Sequence, residues 1–534
     1  MAVGAATGAT RLVDALAVAG VARVFTLSGN QILSVFDATI GRDVALVHTR
    51  HEAAAVHMAD AWGRLTEQPG VALVTAGPGH LNAISALYGA RMAESPVLLL
   101  SGASPRGQRG RGAFQELDQV AAARPVVKAA WSVDDPARVG HDVAQALALA
   151  VGGRPGPVHL SLPGDVLEAV ASEAPPLARA APPAAVNEND ALAIVALLAE
   201  ARRPLILTGP ALGRGRRRAA VQRLVETTGT PALAIESPRG VNDPWLRGAS
   251  ALLGEADLLL LLGKPLDYSL RFGQAFARGC RVVALDPEPV PPDERVALAV
   301  TADPTASAAR LADVASTRGW PATAWRDEVE STRRAEPPSW QAARGSTRAP
   351  IHPLRVCAAL APHVEAGAVL VADGGEFGQW VQAGLEPRER LINGLSGSIG
   401  SALPMAVAAR LACPGRAVLA AMGDGTFGFH AFELDTALRC GAPIVVVVGN
   451  DARWNAEHTL QLRHYGAERA IGCELRPSRY DRVAEALGGH GELVERATDL
   501  EPALARALSA GRPAVINVLI EGVPAPIFGG GAGH

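Results

Sequence analysis

The chain has 534 residues, 49% of them hydrophobic and 19% charged, with a formal net charge of −3. That length suggests about three domains, and near-neutrality without a long basic face argues against nucleic acid as a partner. No apolar run reaches the roughly 18 residues of a membrane span, the start lacks the basic flank of a signal peptide, and the five cysteines form neither a metal spacing nor a disulfide framework, so a cytoplasmic protein is expected.

In chain order, the first chemistry-bearing pair is His51-Glu52 in VALVHTRHEAAAVHMADAWGR, where a short apolar strand gives way to an Ala-rich helix. Glu52 stands at the helix mouth, a place that favours an acidic side chain through the dipole alone. VALVTAGPGHLNAISALYGARM then reads as a strand, a sharp Gly77-Pro78-Gly79 turn and a helix near Asn82; GAFQELDQV and GRPGPVHLSLPGDV follow. Stretches of linker composition at about 173–190 and 333–350 divide the chain into segments 1–172, 188–335 and 350–534. The middle segment holds a Rossmann-like strand pair in RPLILTGPALGRG and ADLLLLLGKPLDYSLRFG. There Gly209, Gly213 and Gly215 loosely imitate a dinucleotide loop. The basic run Arg214 to Arg218 reads as a solvated helix start, with a phosphate grip as the alternative.

The last segment opens with VLVADGGEFGQW, whose Asp373-Gly374-Gly375-Glu376 turn offers N–H groups to phosphate. NGLSGSIGSALPMAVAAR follows, and by composition alone its Ile399 is a core residue. In VLAAMGDGTFGFHAFELDTALRCGAPIVVVVGNDARWN, strands are expected over 418–422 and 444–448, with a helix over 429–440 between them. Asp424 and Asp451, 27 positions apart, then meet at the carboxyl ends of two parallel strands, the rim where open α/β sheets bind ligands. Oxygen ligands suit a hard cation such as magnesium, and glycine N–H groups at a helix mouth suit phosphate.

The Gly-Asp-Gly to Asn-Asp spacing resembles the thiamine-diphosphate signature. The blocks as a whole, end to end, resemble a family that includes acetolactate synthases, benzoylformate decarboxylase and 2-hydroxyacyl-CoA lyases. This resemblance implies an α/β fold of three parallel-sheet domains: pyrimidine-binding (1–172), central Rossmann-like (188–335) and diphosphate-binding (350–534). The outer two should share a fold, with each cofactor between two subunits of a homodimer at least, commonly a homotetramer.

The resemblance also implies thiamine diphosphate and Mg²⁺, the cation held by Asp424, Asp451 and the Arg453 carbonyl, although such enzymes usually carry asparagine where Asp451 stands. Glu52 becomes the acid that exchanges a proton with the aminopyrimidine ring, near Pro78 and Asn82. Gly374, Gly375, Glu376 and Ser398 fall to the cofactor with Ile399, the apolar prop that bends it. Gly423, Gly425, Thr426, Trp454 and Asn455 complete that set. Asn30, Gln31, Phe114 and Gln115 line the substrate side, Gln115 and His80 with catalytic roles and His458 as a second proton carrier. Leu460 stands where acetolactate synthases carry tryptophan and Ala456 replaces a larger residue, so the pocket should be wider or differently used. A decarboxylase or carboligase acting on 2-oxo acids or aldehydes is the first expectation; the second is a 2-hydroxyacyl-CoA lyase or oxalyl-CoA decarboxylase-like enzyme. An inactive cofactor-binding homologue is the third, and retention of Glu52, Asp424 and Asp451 speaks against it. In relatives the central domain carries FAD or a CoA or ADP nucleotide, and both stay open.

Overall fold

A computed structural model describes residues 6–171, 184–320 and 324–528. Its first sheet contains β1 (Arg23–Thr26), β2 (Ala45–His48), β3 (Gly70–Val74), β4 (Val97–Ala103), β5 (Ala129–Ser132) and β6 (Val158–Pro163), in the order β2-β1-β3-β4-β6-β5. The central sheet contains β7 (Pro204–Thr208), β8 (Ala232–Ala234), β9 (Leu258–Leu262), β10 (Arg281–Asp286) and β11 (Val296–Thr301), in the order β11-β10-β9-β7-β8. The third comprises β12 (Val369–Ala372), β13 (Arg390–Ile392), β14 (Val418–Gly423), β15 (Val445–Asn450), β16 (His490–Val494) and β17 (Ala514–Leu519), in the order β13-β12-β14-β15-β17-β16. Every pairing within the three sheets is parallel.

Parallel sheets need cover on both faces, so their strands read as continuous apolar runs rather than alternations. The five leucines of β9 and the wholly buried β3 are such runs. Counted from its own first strand, each outer sheet has the order 2-1-3-4-6-5, as expected of two domains with one fold. They meet through two Ala-rich helices, Glu52–Thr66 and Ala402–Ala412, whose small side chains let the backbones approach and whose neighbours form one hydrophobic core. The buried Arg64–Asp60 pair reinforces this junction, with Arg64 Nη1 donating to Ile392 O at 2.6 Å.

Two local expectations change. The helix read over 429–440 is instead two, Asp424–His430 and Glu433–Arg439, because the first begins directly at the Gly-Asp-Gly turn. The second linker is ordered: the helix Pro338–Arg344 buries Trp340 against the third domain's core. The first linker lies largely outside the described residues. Among the described residues, no helix is long and apolar enough to cross a membrane.

Candidate active site in two halves

Neighbouring strands β12, β14 and β15 end in the three turns singled out from the sequence. After β12, Gly375 holds φ +81, and a Cβ on Gly374 would lie 2.8 Å from both Asn393 Nδ2 and Ile399 Cγ2. Buried Asp373 accepts hydrogen bonds from the N–H groups of Gly374 (2.7 Å), Gly400 (2.9 Å) and Ala402 (2.9 Å), tying the Ile399 loop to the first turn. Burial raises its pKa to about 6 despite these bonds. Asp373 is a positioning residue that the sequence did not disclose, since its role depends on a loop 27 residues later.

Asp424 opens a helix directly after β14. Its Oδ2 is buried and has no hydrogen-bond partner among the described residues. Burial, and then the neighbouring Asp451 carboxylate, push Asp424 up to about 7; burial likewise lifts Asp451 to about 6, against the pull of Arg453. Adjacent carboxylates, one with an oxygen that no protein donor satisfies, suit a divalent cation. Among the described residues no three His, Cys, Asp or Glu side chains gather as a metal cluster, so such a cation would need phosphate, water and carbonyl oxygens as well.

Asn450 faces elsewhere, donating from Nδ2 to Asn517 Oδ1 at 3.1 Å and to Ser478 O at 3.2 Å. Arg453 bridges to Glu474, and the flanking bonds, Leu475 N–H to Ala452 O and Trp454 N–H to Cys473 O, leave the Arg453 carbonyl out. Trp454 lies over Gly425, where a Cβ would come within 2.6 Å of the indole. Thr426 Oγ1 donates to Gly423 O at 3.0 Å, while Glu376 accepts the Ala525 N–H at 2.6 Å. These loops enclose a cavity of about 210 Å³ that also takes in Asn455, Ala456 and, from the central domain, Arg239. Ser398 and Leu460 do not line it. Ser398 instead turns toward Gly89 of the first domain, where a Cβ would stand 3.7 Å from its hydroxyl.

The other half belongs to the first domain. His51 caps the helix Glu52–Thr66, its ring nitrogen accepting the Ala53 N–H at 3.1 Å, and this fixes Glu52 as the first helical residue. Glu52 Oε2 accepts from Asn82 Nδ2 at 3.0 Å. Gly79 stands so close that a Cβ there would lie 3.2 Å from Glu52 Oε1. Gln31 links Thr75 and Gln115, accepting from Thr75 Oγ1 at 2.5 Å and donating to Gln115 Oε1 at 3.0 Å. The strained turn before Pro78 has Gly77 at φ +57 against Gln115 at φ +58, and Gln119 Oε1 accepts the Gly77 N–H at 3.0 Å. Gln119 is a second supporting residue missed from sequence. Phe114 and Asn30 are exposed at the same end of the sheet.

His80 is not placed for catalysis. Its ring is fully enclosed, Nδ1 meets Ser101 Oγ at 2.9 Å, and His159 packs 4.6 Å from it, centroid to centroid. Burial lowers its pKa to about 4. His458 is half-buried on the helix Asn455–Tyr465.

No first-domain residue lines this third-domain cavity, so the two halves open separately on one chain. The central sheet's own cradle, where β7 and β9 end, is filled from within: Glu94 accepts the Ala211 N–H at 2.9 Å and pairs with Arg154, which reaches Asp286 at 2.5 Å. A Cβ on Gly209 would meet the Glu94 carboxylate at 2.8 Å.

Comparison with known proteins agrees with this division. Residues 6–122 match the thiamine pyrophosphate enzyme N-terminal TPP binding domain, and 373–518 the C-terminal TPP binding domain. The chain is 36% identical to the acetolactate synthase large subunit IlvG of Mycobacterium tuberculosis, over 95% of this chain and 94% of that one. It is 32% identical to a 2-hydroxyacyl-CoA lyase of Oryza sativa subsp. japonica over the same shares, and 30% to human 2-hydroxyacyl-CoA lyase 2 over 94% and 88%.

Proposed function

The chain belongs to the thiamine pyrophosphate enzyme family, and within it we propose a magnesium-dependent enzyme that breaks or forms C–C bonds of 2-oxo acids and related carbonyl compounds. The observation that carries this reading is the Asp424–Asp451 pair, the first carboxylate buried and the second half-buried, between glycine turns at the rim of β14 and β15. Thiamine diphosphate, when bound, supplies a nucleophilic carbon and an electron sink. Asp424 and Asp451 would hold the cation with the Arg453 carbonyl, and the N–H groups of Gly374, Gly375 and Gly425 would face the diphosphate. Ile399, its loop tied down through Asp373, would give the cofactor an apolar surface in the cavity wall. Glu52, aligned by Asn82, would hold the proton exchanged at the pyrimidine ring, and Gln31 and Gln115 would orient the substrate carbonyl.

Because the halves open separately, the working site joins Glu52 of one chain to Asp424 of another. Large apolar side chains exposed around both halves support this: Phe114 is 72% exposed, Phe432 61% and Tyr465 65%. A homodimer is the smallest active form and a homotetramer the expected assembly; five free cysteines suit the cytoplasm.

Cleavage of 2-hydroxyacyl-CoA is the second reading, supported by the 32% identity to the rice protein of that name. Carbon dioxide release from a panel of 2-oxo acids, measured beside formyl-CoA formation from 2-hydroxyacyl-CoAs, separates the two. Turnover of the oxo acids alone is expected; CoA-substrate cleavage alone would replace the first reading.

A further inference from the structure

Within one chain, the Gly-Asp-Gly turn is joined to the bend that carries Glu52. The helix Asp424–His430 ends against the first domain, where the His430 ring lies 5.6 Å from that of His51 and 5.7 Å from that of His57, centroid to centroid. Burial lowers both His57 and His430 to about 3, so near neutrality these two rings pack uncharged. The next helix, Glu433–Arg439, bonds to the backbone at the end of β2 and at the bend before Glu52. Glu433 Oε1 accepts the Arg50 N–H at 2.9 Å, and Arg439 Nη2 donates to His48 O at 2.7 Å. Asp435 adds an ion pair with Arg50 at 3.7 Å.

Both clasping side chains are fixed by their own helix before they reach the first domain. Glu433 is 1% exposed, and its second oxygen accepts the Thr436 hydroxyl at 2.6 Å. Arg439 donates to Thr436 Oγ1 at 3.0 Å and to Asp435 Oδ2 at 2.9 Å. Burial raises the Glu433 pKa, and its bonds to Thr436 and the Arg50 N–H oppose that rise. A buried carboxylate is costly without donors, so the Arg50 N–H satisfies the helix as much as Glu433 satisfies the bend. The bend needs such support, because β2 is the edge strand of its sheet and pairs with β1 alone.

We propose that Glu433 and Arg439 are positioning residues for Glu52, and that through them the segment carrying Asp424 in one working site sets the proton-exchanging carboxyl of the neighbouring one. The inference rests on the shared site proposed above: the clasp lies within one chain, whereas Glu52 and Asp424 of that chain serve different sites. Whatever fixes the Asp424 helix in one site therefore also fixes the Glu52 bend in the other.

The test compares Glu433→Leu, which removes the acceptor, with Glu433→Gln, which keeps it, both in the full chain. In cofactor-free protein, amide hydrogen exchange over residues 48–53 should quicken about tenfold or more in Glu433→Leu and match the parent in Glu433→Gln. Turnover should fall by about the same factor in Glu433→Leu, with thiamine diphosphate affinity by calorimetry unchanged, and Glu433→Gln should restore it. If Glu433→Leu does not fold, Arg439→Gln, at an exposed position, removes the bond to His48 and replaces it in every arm. A hybrid of a Glu52→Gln chain with an Asp424→Asn chain then keeps one working site. The loss should follow the chain that retains Glu52: it is expected with Glu433→Leu on the Asp424→Asn chain and not on its partner. Equal loss in both arrangements, parental exchange and turnover in Glu433→Leu, or no rescue by Glu433→Gln overturns the proposal. Hybrids that form but are inactive before Glu433 is changed contradict the shared site itself, and the link between sites falls with it.

Discussion

The two outer domains share one strand order and carry different chemical groups at their rims. At the rim of the first, amide side chains and one carboxylate gather: Gln31, Gln115, Asn82 and Glu52. At the rim of the third, glycine turns surround two carboxylates that resist ionisation, Asp424 and Asp451. The scaffold therefore sets where a ligand would lie, and the loop residues decide which chemical groups face it.

Substitutions on either side test this contrast, the largest effect first. Glu52→Gln keeps the bond to Asn82 in shape but removes the exchangeable acid, so turnover should fall by about 10²–10⁴-fold while thiamine diphosphate still binds. Normal turnover would end the assignment. Asp451→Ala should do the reverse, losing magnesium-dependent cofactor binding by calorimetry with an unchanged circular dichroism spectrum. Ile399→Ala should reduce turnover by about tenfold, on the scale of a lost buried apolar contact, with affinity little altered.

A pH series sharpens the contrast further. Asp424 and Asp451 have pKa values raised to about 7 and about 6, so in the metal-free protein their protonated forms are the favoured ones. That contribution to stability is fully present below the ordinary value of 3.8 and is lost progressively as pH rises from there through the folded values near 6 and 7. The metal-free thermal midpoint should fall over that window, whereas manganese affinity, read by electron paramagnetic resonance, should rise because a cation needs both carboxylates ionised. A manganese affinity flat from pH 5.5 to 8 would contradict the pair's role. The smallest effect is expected at the central cradle: Glu94→Ala should cost on the order of 2 kcal/mol in denaturant unfolding, since it strips a partner from Arg154 and an acceptor from Ala211 N–H.

How far these features can be read from sequence depends on how local they are. Glu52 after its strand, Gly-Asp-Gly after another and the alternation of apolar runs and helices all have their causes within about 30 residues, and each emerged where expected. His80 looked titratable by residue type alone, but Ser101 and His159 enclose it, and both lie on later strands. Asp373 and the Glu94–Arg154–Asp286 chain likewise join distant segments, one of them across two domains, so no local spacing announced them. The second linker misled because Pro-rich composition also suits helix starts, and Trp340 supplies the burial that orders it.

On the proposed reading, the proton-exchanging half and the cation-holding half of each working site come from different chains. Co-assembled hybrids of Glu52→Gln and Asp424→Asn test it most directly, because each parent is inactive alone. A shared site restores one intact Glu52–Asp424 combination per hybrid dimer, so activity should reappear on mixing and reach about half the parental turnover per hybrid dimer. Hybrids shown to form, yet as inactive as their parents, would place both halves on one chain and contradict the claim.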